Sequence, residues 1–261
     1  MLIIAGVLIA LSISTWWFQR VAFSPSPDAD RAHAILSDTD IRAEVATVIA
    51  SADAPVLGQS PTQLKEFVEQ ITALPAGSAL MADVIADSHA RLIGELDEPV
   101  RISGPVQVTI VRDERVATMA AVTVPVQEVG TLSVINTFAG WTALVSGVLG
   151  LLALVAGFVM RPERGEATFA LASGFGSLAI LLIVLGYLTP LVVLPSISTT
   201  TWMAVFPQLA NQYRTFTLVF AIVSGAIAIG LLWISGSIGQ RRQSSTPLAV
   251  GRYREQQRWS R

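Results

Sequence analysis

The sequence predicts a membrane protein: an all-α bundle of four transmembrane helices, with an α+β extracytoplasmic domain inserted after the first. Three observations carry this. The 261 residues are 52% hydrophobic and only 14% charged, with a mean hydropathy of +0.59, whereas a soluble domain carries about 25% charged residues. Four apolar runs approach the roughly 20 residues that a bilayer core about 30 Å thick requires. The charged residues collect in one segment between the first and second runs and in a tail after the fourth.

These divisions set the expected organisation: a transmembrane anchor over 1–23, an extracytoplasmic α+β domain over 24–136, transmembrane helices over 137–160, 167–194 and 215–238, and a basic tail over 239–261. The first run, "MLIIAGVLIALSISTWWF", is longer than the apolar stretch of a secretory signal and ends in Trp16, Trp17 and Phe18, which suit a membrane interface. The nearest small-x-small triplet, Ala22-Phe23-Ser24, is followed by Pro25, so an uncleaved anchor is expected. No Arg or Lys precedes it, so either the true start lies upstream or orientation rests on later arginines. Pro190, inside the third run, predicts a tilt or a stop near Thr189, because proline cannot donate the backbone bond.

Positive residues resist translocation. Arg161 and Arg164 in the short "RPERGE" link, and Arg241, Arg242, Arg252, Arg254, Arg258 and Arg261 after the fourth run, place both segments in the cytoplasm. The protein is therefore expected to be multi-pass in the plasma (inner) membrane, with both termini cytoplasmic and 24–136 outside. Between 24 and 136 there are 16 Asp plus Glu against 7 Lys plus Arg, so that domain is acidic.

Within it, three amphipathic helices are expected. "SDTDIRAEVATVIA" offers Ser37 or Thr39 as N-cap, with Ile41, Val45, Val48 and Ile49 on one face. "SPTQLKEFVEQITAL" has Ser60 as N-cap, Pro61 at the first position and Gln63 to complete a capping box, then Leu64, Phe67, Val68, Ile71 and Leu74 at helical spacing. "GSALMADVIADSHARLIGELD" starts at Ser78. After Pro99 the period becomes that of a strand: "PVQVTIV" and "VATMAAVTV" read as a hairpin around "RDER", and "TLSVI" as a third strand.

Catalytic and metal signatures are sought without success. Cysteine is absent, which removes disulfides and thiolate chemistry. His33 and His89 are the only histidines, and neither has metal-ligand spacing. Asp28, Asp30, Asp38 and Asp40 read as caps and solvated charges, since no calcium loop surrounds them. The spans carry no ionisable residue between their flanks, which disfavours a proton-coupled transporter acting alone. They carry small residues instead, among them Gly147, Gly150, Gly157, Gly174 and Gly225, which let helices pack closely. No catalytic residue, cofactor or metal site is expected, and the chain reads as a non-enzyme.

The residues left as candidates for interaction or an interface are His89, beside the apolar face of its helix; Trp202, Phe206 and Tyr213, in the outer link "PSISTTTWMAVFPQLANQYR", which is expected along the membrane interface; and Arg241 and Arg242, which open a tail suited to anionic headgroups. The expected partners are membrane lipids and a protein of the plasma membrane or envelope. Nucleic acid is not expected, because no folded basic face accompanies the charges.

"LSDTDIRAEVATVIA" and "MADVIADSHARLIGEL" are similar to segments of a little-characterised actinobacterial family of four-span integral membrane proteins, which the whole arrangement resembles: N-terminal anchor, extracytoplasmic domain, three clustered spans and a basic tail. This chain departs from the family at its start, where basic residues are usual, and in the strand-like segment after Pro99. The resemblance implies a topology and carries over no catalytic residue. The sequence thus points to a non-catalytic envelope protein that binds a partner through its outside domain, with a transporter component or lipid-handling protein, or a transmembrane sensor, as alternatives.

Overall fold

The computed structural model describes residues 1–160 and 164–243, with side chains over 1–160 and 166–235. Among the described residues, four helices are long and apolar enough to cross a membrane: Leu2–Ala22, Gly130–Val159, Glu166–Ile197 and Arg214–Ser235. In chain order the elements are α1 (Leu2–Ala22), α2 (Ala29–Leu36), α3 (Thr39–Leu57), α4 (Pro61–Ala73), α5 (Pro75–Leu80), α6 (Ala82–Leu92), β1 (Arg101–Ile102), α7 (Gly104–Val111), β2 (Val122–Thr123), α8 (Gly130–Val159), α9 (Arg164–Ile183), α10 (Val205–Gln212) and α11 (Arg214–Gln243). The chain divides into two compact units.

The first unit comprises Met1–Ile13, Ala143–Leu181 and the stretch from Val219. Its helices meet at small residues, as the sequence suggests. Along α1 and α8 the pairings run antiparallel: Ser12 Oγ donates to Ala143 O at 2.7 Å, and side chains added at Gly147, Gly150 and Gly157 would meet Ser12, Ile9 and Leu2. Between α1 and α9 the contact is glycine on glycine, with a Cβ at Gly6 only 3.1 Å from Gly174 Cα. Without side chains there, the two backbones touch, which substitutes for the hydrophobic drive that lipid surroundings do not supply.

The second unit comprises Ser14–Thr142 and Leu182–Leu218. Helices dominate it because apolar stripes at 3.6-residue spacing close around one core: Ile41, Val45 and Ile49 of α3, Leu64 and Val68 of α4, Ile85 and Leu92 of α6, and Ile110 of α7 are all buried. Asp28 and Asp38 are the N-caps of α2 and α3, each accepting two backbone N–H groups. The cap of α3 is therefore Asp38, between the expected Ser37 and Thr39. Ser60 does precede α4, but its side chain makes no capping bond. The helix expected from Ser78 is two, broken at Met81.

The expected α+β character reduces to one ladder, in which Arg101 pairs with Thr123 and Ile102 with Val122, antiparallel. "PVQVTIV" is not a strand but α7. Gly104 and Pro105 open it, proline at the first turn being preset for a helix, and Gln107, fully buried, donates from Nε2 to Ile102 O at 2.9 Å. Burial of Gly104, Gln107, Ile110 and Val111 on one helical face overrides the β-branched preference. "RDER" supplies a left-handed Arg112 (φ 61°) that ends α7 and an Asp113-capped 3-10 turn, Glu114–Val116. "TLSVI" lies in the first turns of α8.

Pro190 does not stop the third apolar helix. From Val184 to Val193 the chain continues as a π-helix, with Thr189 Oγ1 donating to Val184 O at 2.8 Å. The wider turn accommodates a residue that has no N–H and whose ring would strike the carbonyl four residues back.

Candidate functional site

The best-defined polar arrangement in the second unit surrounds the C-terminal end of α1. A helix leaves its last four carbonyls without partners and carries partial negative charge there. Two side chains from elsewhere meet them. Arg31, on α2 and buried, donates from Nη2 to Arg20 O at 2.9 Å and from Nη1 to Ser24 O just beyond the helix. His89, on α6, donates from Nε2 to Ala22 O at 2.8 Å. A carbonyl acceptor requires the proton on Nε2. His89 is 2% exposed. Its pKa is lowered to about 4, chiefly because burial disfavours the imidazolium; the Ala22 bond opposes this and the Arg31 charge adds to it.

Arg31 also donates from Nε to Tyr213 Oη at 3.2 Å, and its Cζ lies 5.5 Å from the centre of that ring. Tyr213 meets Trp17 edge-on at 6.0 Å, and Trp17 Nε1 donates to Thr217 Oγ1 at 3.0 Å. The absence of a side chain at Gly186 makes room for this indole, since a Cβ there would lie 2.8 Å from Trp17 Cδ1.

The outer link turns two of its aromatics, Trp202 and Phe206, into the protein. Trp202, Met203, Val205, Phe206 and Leu209 are buried in the core of the unit, because this apolar stripe closes over α2 and α3 in place of lipid. Trp202 Nε1 donates to Glu44 Oε1 at 3.1 Å, and Gln208 Nε2 to Asp38 Oδ2 at 3.4 Å. Phe206 packs against Phe23 at 6.0 Å and edge-on to His89 at 6.1 Å.

Of the residues singled out from sequence, His89, Phe206 and Tyr213 therefore gather around the end of α1, while Trp202 stands apart against α3. Arg241 and Arg242 lie in the last turns of α11; their side chains, and the tail beyond 243, fall outside the described residues. Sequence reasoning missed Arg31, whose only signal was a basic residue between two aspartates and an apolar pair, Ile35 and Leu36. It also missed Asp53, which is fully buried on α3 with neither carboxylate oxygen partnered among the described residues. Burial raises its pKa to about 6.

Two further features bear on function. Phe67, Leu74 and Leu80 are exposed on α4 and α5 and at the corner joining them, with Leu74 at 56%. In the first unit an apolar cavity of about 380 Å³ is lined by residues including Gly6, Ile9, Phe158, Ala170, Gly174 and Phe175. Among the described residues, no group of three His, Asp or Glu is placed to hold a metal ion.

Four helices of this length and hydropathy define the class as multi-pass membrane proteins. No protein-family model, curated protein or solved structure matches the chain.

Proposed function

We propose that the protein is a non-catalytic integral membrane protein of the bacterial cell envelope that binds a protein partner through residues 24–136, held outside the plasma membrane, and helps to assemble or regulate a membrane complex. The observation that carries this reading is the exposed apolar set Phe67, Leu74 and Leu80, on helices that belong to the same compact unit as the end of α1. Large apolar side chains left exposed on a domain surface suit contact with a partner. A domain held at the membrane meets partners that are themselves confined there.

Affinity purification in mild detergent, followed by mass spectrometry, tests the reading. A defined envelope protein should copurify with the native chain and be lost with Leu74→Asp. Copurification that survives both Leu74→Asp and Leu80→Asp assigns the contact elsewhere and contradicts the reading.

A second reading, a lipid-handling protein or transporter component, is favoured by the apolar cavity in the first unit. A cavity lined by apolar side chains accepts an apolar guest at little cost in lost hydrogen bonds. Lipid retained through purification, and expelled by Gly174→Leu, supports that reading.

A further inference from the structure

We propose that Arg20 and Arg214, backed by the buried Arg31, form a site for the phosphate headgroup of an anionic lipid. In the second unit, Trp17 and Thr217 fix α1 against α11 through a 3.0 Å hydrogen bond. From there, α1 followed forward and α11 followed backward both lead toward the contact between Arg31 and Tyr213. Arg20 lies three residues beyond Trp17, and Arg214 three residues before Thr217. At 1.5 Å per residue, each stands about 4.5 Å further along its helix in the same direction. The two side chains, both exposed, therefore share one depth at the ends of two candidate spans.

That depth has the composition of a headgroup layer. Trp16 and Phe216, at 57% and 60% exposure, lie within four residues of the arginines, as interfacial aromatics do. The charge is also uncompensated. The ion pairs among the described residues are Lys65 with Glu69 and Arg115 with Asp113, so no carboxylate neutralises Arg20, Arg31 or Arg214. Asp30, adjacent to Arg31 in the chain, makes no ion pair with it, and Asp28 accepts the backbone N–H groups of Asp30 and Arg31 at the N-terminus of α2. Arg20 donates from Nη1 only to the Ser24 hydroxyl, at 3.4 Å. A guanidinium presents a planar fork of donors that matches phosphate oxygens. In a membrane the phosphate held at that depth is a lipid's, and only an anionic lipid leaves a net charge to meet the arginines.

The site rests on the membrane reading and not on the protein partner. The test is native mass spectrometry of the full chain in mild detergent, titrated with phosphatidylglycerol and phosphatidylcholine. Phosphatidylglycerol should be preferred, and the preference should fall about fivefold for each of Arg20→Gln and Arg214→Gln. Arg20→Lys with Arg214→Lys should retain most of it, and Arg101→Gln, which changes an exposed arginine elsewhere, should leave it unchanged. Leu74→Asp should not alter it, which separates this site from partner binding. An unaltered preference in the double glutamine variant overturns the proposal. So does an equal fall in Arg101→Gln, or displacement of the lipid by excess inorganic phosphate, which would reveal a site for a soluble anion.

Discussion

His89 Nε2 lies 2.8 Å from Ala22 O, so a neutral histidine on α6 closes the end of the first apolar helix. Replacing it with alanine leaves the carbonyl unpaired in a dry core and opens a cavity against Phe206. His89→Ala should lower unfolding free energy by about 2 to 4 kcal/mol, read as a drop in the denaturation midpoint in mild detergent. An unchanged midpoint would show that Arg31 alone secures this end.

Buried His89 and Asp53 pull the pH dependence of stability in opposite directions. His89 falls from 6.5 to about 4 on folding, so its contribution is present above pH 6.5 and is lost as pH falls toward 4. Asp53 rises from 3.8 to about 6, so its favourable contribution is present below 3.8 and is lost as pH rises through 6. Between pH 4 and 6 the two slopes nearly cancel. Asp53→Asn should stabilise the protein at pH 7 by about 3 kcal/mol and leave a stability that climbs steadily from pH 4 to 6.5. Thermal denaturation at a series of pH values checks both effects; a variant no more stable than the native chain at pH 7 refutes the assignment.

Trp202 anchors the outer link through its buried indole and its bond to Glu44. Trp202→Ala should cost about 3 to 5 kcal/mol and open the stretch 194–213 to proteolysis. Trp202→Phe, which keeps most of the packing, should cost about 1 to 2 kcal/mol. Equal cleavage of native and Trp202→Ala protein would argue against a buried link.

The chain has no cysteine, so a cysteine pair reports on one contact without background. A Cβ at position 147 lies 3.6 Å from Ser12 Cβ, within the span of a disulfide. Ser12→Cys with Gly147→Cys should cross-link on mild oxidation, whereas Ser12→Cys with Leu151→Cys, one turn along and facing outward, should not. The reverse pattern would mean that α8 presents another face to α1.

Much of the fold was legible because hydropathy over about 20 residues is a strong signal. The four apolar helices follow from it, as do α3, α4 and α6, whose stripes Ile41-Val45-Ile49, Leu64-Val68 and Ile85-Leu92 become core. The segment after Pro99 was not legible. Val106, Val108 and Ile110 alternate like a strand, but eight residues are too few to separate the two periods, and the face that is buried carries Gly104, Gln107, Ile110 and Val111. The start at Ser103-Gly104-Pro105 carried the better information. Asp28 belongs to the set that reads as caps, but the eight residues of α2 that follow it are too few to show a helical period. Of the site, His89 and Tyr213 could be named from sequence, but not what they touch, since their partners lie far away in the chain. Arg31 had only a weak local signature, a basic residue between two aspartates and an apolar pair. Its role depends on the carbonyls at the end of α1, which no side-chain pattern records.

Residues 24–136 are proposed to meet a protein partner outside the membrane. Site-specific photo-cross-linking in intact cells, from a photoreactive residue at Leu74, tests this most directly, with the exposed Glu98 as control. Leu74 should give a discrete protein adduct and Glu98 none. Absence of any protein adduct from Leu74 or Leu80, in protein shown to be at the membrane, would contradict it.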